Sequence, residues 1–285
     1  MTNRHNARFT LKQAAVDWIT ITAANGSAAQ RLYKEGCTLL DIQKRLGNKV
    51  IKQQPHGYEG THCGAVFIGR NGDAVMLRVT GCIAHEAATI LQDVDVTITR
   101  IDVQTTWQIE GVDATWAECE QRNALRKRSS LGLYHLSHIR HILGNGKGDT
   151  TMVGSRTSPR YGRLYDKARE SGEARYDNCW RYEVEYKQEV ARNVWVELCK
   201  DNFSTRTIVG IVSEQYQSWM FDVDFMEGVS VPIEGAGRAK VDAQKKLEWI
   251  QSQVVPSMEF IVEAGYKPQL LLVLNGVDGL DIEIK

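Results

Sequence analysis

Much of what sorts proteins into classes is missing from this chain. Its six cysteines, at positions 37, 63, 82, 119, 179 and 199 of 285 residues, form no CxxC pair, which excludes the close thiolate spacing of a zinc site. No segment approaches the roughly 18 unbroken apolar residues of a membrane span. The opening MTNRHNARFTLKQ carries no apolar run of a secretion signal, so reduced thiols and a cytoplasmic location are expected. An excess of one charge is missing too: 35 Lys and Arg oppose 35 Asp and Glu, and bulk charge selects no partner. There is no GxxxxGK[ST], and NGKG at 145–148 is too short to cradle a phosphate, so nothing supports ATP-driven chemistry. No internal repeat or low-complexity tract is visible.

What is present reads as a folded protein. Hydrophobic residues make up 42% and charged residues 25%, near the globular average, and the length suits one large or two modest domains. The charge is unevenly spread. Between Gln121 and Glu170 eleven basic residues, Arg156, Arg160, Arg163 and Lys167 among them, face only Asp149, Asp166 and Glu170. A basic stripe on a neutral protein points to a localised polyanion site.

Periodicity predicts a mixed architecture. Residues 14–22 read as a strand, and Ser27 as the cap of a helix through Leu32, Leu39, Leu40 and Leu46. Asn71-Gly72 signals a hairpin, 83–92 a short helix, 96–107 a strand, and 115–133 a helix ending in an Arg126-Lys127-Arg128 cluster that reads as a solvated end or as a phosphate contact. HLSHIRHILGNGKGD (135–149) reads as loop. Gly154, Ser155, Ser158 and Pro159 supply a turn between two strands, and WRYEVEYK (180–187) is a further strand before a helix. Short helices follow, then a loop with Pro232, Gly235 and Gly237, and a helix broken near Pro256. The expected fold is α+β: an antiparallel-sheet catalytic domain with packed helices over 1–205, and a mostly helical C-terminal extension over 206–285.

Three of the strands can be phased by the two-residue period. Ile98, Arg100, Asp102 and Gln104 share a side in the first; Tyr161, Arg163, Tyr165 and Lys167 in the second; Arg181, Glu183, Glu185 and Lys187 in the third. The alternate positions, Ile101, Val103, Tyr182, Val184 and Tyr186, suit a core, with Asp166 the exception. Paired in one antiparallel sheet, these strands would gather carboxylates, cations and tyrosine on one face. Carboxylate oxygens suit Mg²⁺ or Mn²⁺. Arg163 and Lys167 could hold a phosphate, and Tyr165 could attack it to give a covalent intermediate. Tyr161 has the same parity as Tyr165 and is a rival nucleophile. The plainer alternative is an exposed sheet face laced by cross-strand ion pairs. Trp18, Trp107, Trp180 and Trp195 lie in apolar runs and are expected in the core. His135, His138 and His141, spaced by three, would share a helical face and could hold a metal, or line a basic surface.

The ordered segments VDWITIT, TRIDVQTT, GSRTSPRYGRLYDKARESG and WRYEVEYK resemble the replication initiation factor family of rolling-circle plasmids, filamentous phages and integrative elements. The most specific block is GSR-x-S-x(4)-R-x-YDK-x(2)-E. The resemblance implies a metal-dependent nickase that attacks one origin strand through a tyrosine, stays joined to the 5′ phosphate and leaves a 3′ hydroxyl as primer. On this likeness the nucleophile is Tyr165 and the metal acids are Asp102 and Glu183, with Glu185 a further candidate. Arg156, Arg163, Lys167 and Arg181 occupy basic motif positions, and Arg160 is read with them as a phosphate clamp. Many members carry a second acid where this chain has Gln104 and Thr105. No His-x-His pair of the larger rolling-circle class is present. The resemblance further implies origin DNA, a host helicase and polymerase, and a homodimer as partners in a bacterial cytoplasm, with no membrane role. A conjugative relaxase and a non-catalytic DNA-binding regulator are the alternatives.

Overall fold

In the computed structural model, which describes residues 7–111, 116–133, 136–144, 148–229, 231, 233 and 255–266, two long strands run side by side. β1 (Arg8–Ala23) and β6 (Thr97–Glu110) are rich in β-branched and aromatic residues and contain no proline or glycine. They are the fifth and sixth strands of an antiparallel sheet of ten, ordered β2-β3-β4-β5-β1-β6-β10-β9-β8-β7. The others are β2 (Val50–Gln53), β3 (Glu59–Cys63), β4 (Val66–Asn71), β5 (Ala74–Thr80), β7 (Ile139–Ile142), β8 (Thr150–Val153), β9 (Arg160–Asp166) and β10 (Cys179–Lys187). Helices α1 (Gly26–Arg45), α2 (Ile83–Leu91), α3 (Trp116–Ser130), α4 (Lys167–Ser171), α5 (Gln188–Cys199), α6 (Thr205–Ser218) and α7 (Val255–Glu263) complete the described elements.

The two halves of the sheet follow one chain path. A central strand leads to a helix, then to four strands stepping inward from the sheet edge, then to a second helix: β1-α1-β2-β3-β4-β5-α2, and again β6-α3-β7-β8-β9-β10-α5. The residues that fill the two halves differ so much that sequence inspection shows no repeat.

Three helices lie on the same side of the sheet. Gly36 of α1 lies against Ile68 and Leu77, Trp116 of α3 donates its indole N–H to Tyr182 Oη at 2.9 Å, and the Tyr216 ring of α6 meets Tyr182 edge-on at 5.0 Å. Ile19, Ile21, Ile101, Val103, Val184 and Tyr186 join this layer, all almost fully buried. At roughly 1.5–3 kcal/mol for each large apolar side chain removed from water, this face is the main source of stability. Gly162 of β9 points the same way: a Cβ there would come 2.3 Å from the Trp219 ring, so a side chain at this position would push α6 off the strand.

The sequence expectations hold for the α+β class and need correction in detail. β1 begins at Arg8, six residues before the expected start. Asn25 stands at the N-cap of α1, with Ser27 inside the helix. The β4–β5 turn is Gly72-Asp73, with Gly72 at φ 57°. A bulge at Thr99, between the Thr20–Arg100 and Ile21–Ile98 pairs, reverses the side-chain phase. Ile98 therefore joins the core rather than the face of Arg100 and Asp102. Residues 139–142, read as loop, form the edge strand β7, because backbone pairing with β8 overrides a weak local pattern. His141 contacts Thr151 Oγ1 at 3.1 Å, and Thr151 donates to the α3 carbonyl of Ala117 at 2.8 Å, so this imidazole lies on the helix side. His135, residues 145–147, the 234–254 stretch and Pro232 lie outside the described residues.

Two compact units are present, residues 1–234 and 235–285. Within the first, α6 packs on β1, β6 and β10. In the second, α7 is described, and Pro256 occupies its first turn, where a proline lacks no helical hydrogen bond.

The RKR cluster is only partly solvated. Arg128 is buried, and its Nε and Nη2 donate to the Trp219 carbonyl at the C-terminus of α6 (3.2 and 2.9 Å), while Lys127 pairs with Asp222 at 2.6 Å. Hydrogen bonds from a charged donor contribute about 1.5–3 kcal/mol. Arg128→Ala is expected to lower the urea-unfolding free energy by about 2 kcal/mol or more, whereas Arg126→Ala, at an exposed position, should change it by less than about 0.5 kcal/mol.

Candidate functional site

On the face opposite those helices, β6, β10 and β9 bring the three phased sets together. Glu185 sits between Asp102 and Tyr161, Glu183 between Gln104 and Arg163, and Arg181 between Thr106 and Tyr165. Directly opposed positions hold their Cβ atoms about 4.5–5.5 Å apart, so every charge has a neighbour within reach. β10 is buried on both faces, contrary to the exposed polar side that alternation suggests, because the charges cover one another.

Each carboxylate carries a protein cation. Arg100 donates to Asp102 through Nε (2.8 Å) and Nη2 (2.6 Å), and its Nη2 also reaches Glu185 at 2.9 Å. Lys187 pairs with Glu185. Arg163 pairs with Glu183 Oε1, and the Tyr165 hydroxyl donates to Glu183 Oε2 at 3.2 Å. Arg181, only 5% exposed, is held from three sides by Thr106 Oγ1 (2.9 Å), Gln13 Oε1 (3.1 Å) and Asp17 (3.6 Å).

These surroundings shift proton affinities. Burial, with Glu183 and Glu185 nearby, pushes the Asp102 carboxyl up to about 7 against the pull of Arg100. Burial and then the Glu183 charge push the Tyr165 phenol well above its ordinary value, while Arg181 and Arg163 draw it down. The phenol is therefore held protonated, with its hydrogen on Glu183 and two guanidinium groups beside it.

A cavity of about 690 Å³ opens over this face. Asp102, Tyr165, Arg163, Glu183, Arg181, Lys167 and Arg156 all line it. Lys167 does so from α4 rather than from the strand, because Asp166 ends β9 by capping α4, accepting from Arg169 N at 3.0 Å. That cap accounts for the misplaced acid in the alternation. Three expected residues are not brought to the cavity wall. Glu185 is buried beneath it under Arg100 and Lys187. Tyr161, 3% exposed, lies under the Arg156 guanidinium at 5.5 Å. Arg160 faces the helix side and donates to the Ile233 carbonyl at 2.9 Å, since its parity in β9 is that of Gly162 and Leu164.

Sequence reading passed over Gln13, Asp17, Arg175 and Tyr176, which also line the cavity. No local signal marks Gln13, and Asp17 lies within VDWITIT with no role assigned to it there: it reaches Arg181 from a bulge between the Val16–Val103 and Trp18–Asp102 pairs. Trp18, expected in the core with the other tryptophans, is instead a half-buried cavity wall with Arg100 stacked at 4.1 Å from its ring centroid. Arg100 had the right parity in the sequence but no assigned role.

Among the described residues no three His, Cys, Asp or Glu side chains are gathered as a metal cage. The donor chemistry of Asp102 and Glu183 fits a hard divalent cation, although it is burial, ahead of the neighbouring Glu183 and Glu185 charges, that raises Asp102. Both carboxylates are paired with guanidinium groups, Asp102 with Arg100 and Glu183 with Arg163.

Fold and cavity define an antiparallel-sheet α+β protein that gathers a tyrosine, carboxylates and arginines beneath one opening. The family model for replication initiation factor matches residues 96–273, more than half of the chain, and the chain belongs to that family. Its structure is similar to the "Structure of Rolling Circle Replication Initiator Protein from Geobacillus stearothermophilus", with a TM-score of 0.49 and 19% identity over 73% of this chain and 85% of that one. No curated protein matches it. Among the described residues no helix is long and apolar enough to cross a membrane.

The raised Asp102 carboxyl has a consequence for stability. The folded state binds this proton more tightly than the unfolded chain, whose ordinary value is 3.8. Its contribution to stability is therefore fully present below that value and is lost as pH rises through about 7. Asp102→Asn should flatten the fall in urea-unfolding midpoint between about pH 5 and pH 8 relative to the parent.

Proposed function

We propose that the protein initiates rolling-circle replication by nicking one strand of origin DNA with Tyr165. The observation that carries this reading is the Tyr165 hydroxyl on Glu183, flanked by Arg163 and Arg181, at the wall of an arginine-lined cavity. Glu183 takes the phenolic proton. The phenolate oxygen attacks phosphorus, a phosphotyrosyl bond forms to the 5′ side, and the bond to the 3′ oxygen breaks. That oxygen takes up a proton and remains as the hydroxyl primer. Phosphotyrosine conserves the ester bond, so the strand can be rejoined later.

Arg163 and Arg156 would hold the scissile phosphate, with Lys167 beside them on the wall. Planar guanidinium groups pair with phosphate oxygens in the geometry they use with carboxylates. An incoming phosphate thus competes for the cations that now cover the acids. Asp102 and Glu183 are the residues that would hold Mg²⁺ or Mn²⁺ once those cations have turned to the DNA. The ion would neutralise charge developing on the phosphate oxygens. Arg181, tied down by Gln13, Asp17 and Thr106, acts as a fixed charge beside the tyrosine rather than as a mobile clamp. Of the two tyrosines, Tyr165 reaches the cavity and Tyr161 is covered, which supports the first as nucleophile. A homodimer, a host helicase and a host polymerase drawing on the 3′ hydroxyl belong to the same reading.

With a labelled oligonucleotide carrying the cognate origin, Tyr165→Phe is expected to abolish the covalent adduct on a denaturing gel while binding persists, and Tyr161→Phe to retain it. Adduct formation by Tyr165→Phe would remove this residue as nucleophile. Chelation of divalent ions should stop nicking in the parent.

A further inference from the structure

The half of the sheet built from β1 to β5 repeats the chain path of the half that carries the tyrosine and acids, but its open face has different chemistry. On β2 to β5 the residues with the parity of that face include Gln53, His62, Phe67, Met76, Arg78 and Thr80, with no carboxylate. Across β1 the row continues through Trp18, and on β6 it reaches Arg100. The Arg100 guanidinium lies 4.1 Å from the Trp18 ring centroid. The Arg78 guanidinium lies 5.8 Å from that same ring and 5.4 Å from Phe67. Phe67 is fully buried and serves as the floor on which Arg78 rests, while Trp18 and Arg78 are half-buried. Trp18, Thr80 and Arg100 also line the cavity that contains Tyr165, so row and cavity are continuous.

Arg78 is a cation without an acid. Its Nη2 donates to the neutral Gln53 Oε1 at 3.3 Å, and among the described residues no carboxylate forms an ion pair with it. Burial, with Arg100 nearby, lowers its proton affinity. A second positive charge held against a first, on aromatic rings, is a place where an anion is stabilising. From β6 to β4 the row crosses three strand intervals of about 4.8 Å each, the length of a few nucleotides.

We propose that the row Arg100, Trp18, Arg78 on its Phe67 floor is a track for single-stranded DNA leading away from the Tyr165 cavity across the first half of the sheet. This extends the nicking reading by assigning a path to the strand that flanks the cleaved bond. Unpaired bases offer their flat faces to the indole and to the guanidinium planes, and phosphates face Arg78. A duplex keeps its base faces stacked inside, so this surface favours a single strand. The repeated half-sheet thus divides labour: one half carries the reacting groups and the other guides the strand.

The test uses the full chain with Tyr165→Phe and no divalent ion, so that no step depends on nicking. Fluorescence anisotropy is read with a fluorescein-labelled thymidine oligonucleotide of about 12 residues, a length within the range such sites span. Trp18→Ala should weaken binding about tenfold, in the range of one lost base stack, and Trp18→Phe should restore most of it. Arg78→Gln should weaken binding and reduce the slope of log affinity against log salt by about one contact. Arg70→Ala, on the opposite face beside Tyr33, should leave binding unchanged. Parent-like affinity and salt slope in Trp18→Ala and Arg78→Gln would overturn the track. So would an equal loss in Arg70→Ala, or a loss seen only with the matching duplex.

Discussion

A carboxylate cannot stay ionised inside a protein without a partner, and the second half of this sheet is organised by that constraint. Asp102, Glu183 and Glu185 lie almost wholly out of water on adjoining strands. Desolvation costs several kcal/mol for each isolated ion even after relaxation. The structure offsets it with Arg100, Arg163 and Lys187, placed by strand register at the neighbouring positions. The compensation is incomplete at Asp102, whose proton affinity stays raised. An ionic layer balanced this closely responds to added charge.

The register that creates the layer depends on the opposite face. Gly162 admits Trp219 against β9, Tyr182 and Tyr186 anchor β10 in the apolar core, and Arg128 joins α3 to the end of α6. Slipping β9 by one residue would send Tyr165 and Arg163 to the helix side and break both faces together. Packing energy is thus the source of the precision with which the polar groups meet. The covered Tyr161 and the half-buried Tyr165 at the cavity wall, four residues apart on one face, show how finely that precision separates equivalent parities.

Duplication of the β-α-β-β-β-β-α path places two chemically different open faces beside one another. The β6–β10 half concentrates opposing charges, and the β1–β5 half carries aromatic rings and Arg78, which forms no ion pair among the described residues. β1 and β6 are the seam. Trp18 and Arg100 meet across it at 4.1 Å, so the stacking row and the ionic layer share a residue, and Arg100 belongs to both.

By itself the sequence determined the strands around the site, the parity of Asp102, Arg163, Tyr165, Arg181 and Glu183, and the membership of the family, since local alternation and an ordered motif are properties of short segments. It also supported the α+β class. Other features required the tertiary structure, because they depend on contacts between segments distant in the chain. The bulge at Thr99 turned Ile98 inward, and pairing with β8 made a strand of 139–142. The basic stripe of 121–170 proved to be scattered, with Arg128 spent on a helix end and Arg160 on the wrong face. Asp17, inside VDWITIT but given no role there, was brought to Arg181 by a bulge in β1, and Gln13, outside every motif, by pairing opposite Thr106. Periodicity tells which side of its own strand a residue occupies; only the packed sheet decides what stands opposite it.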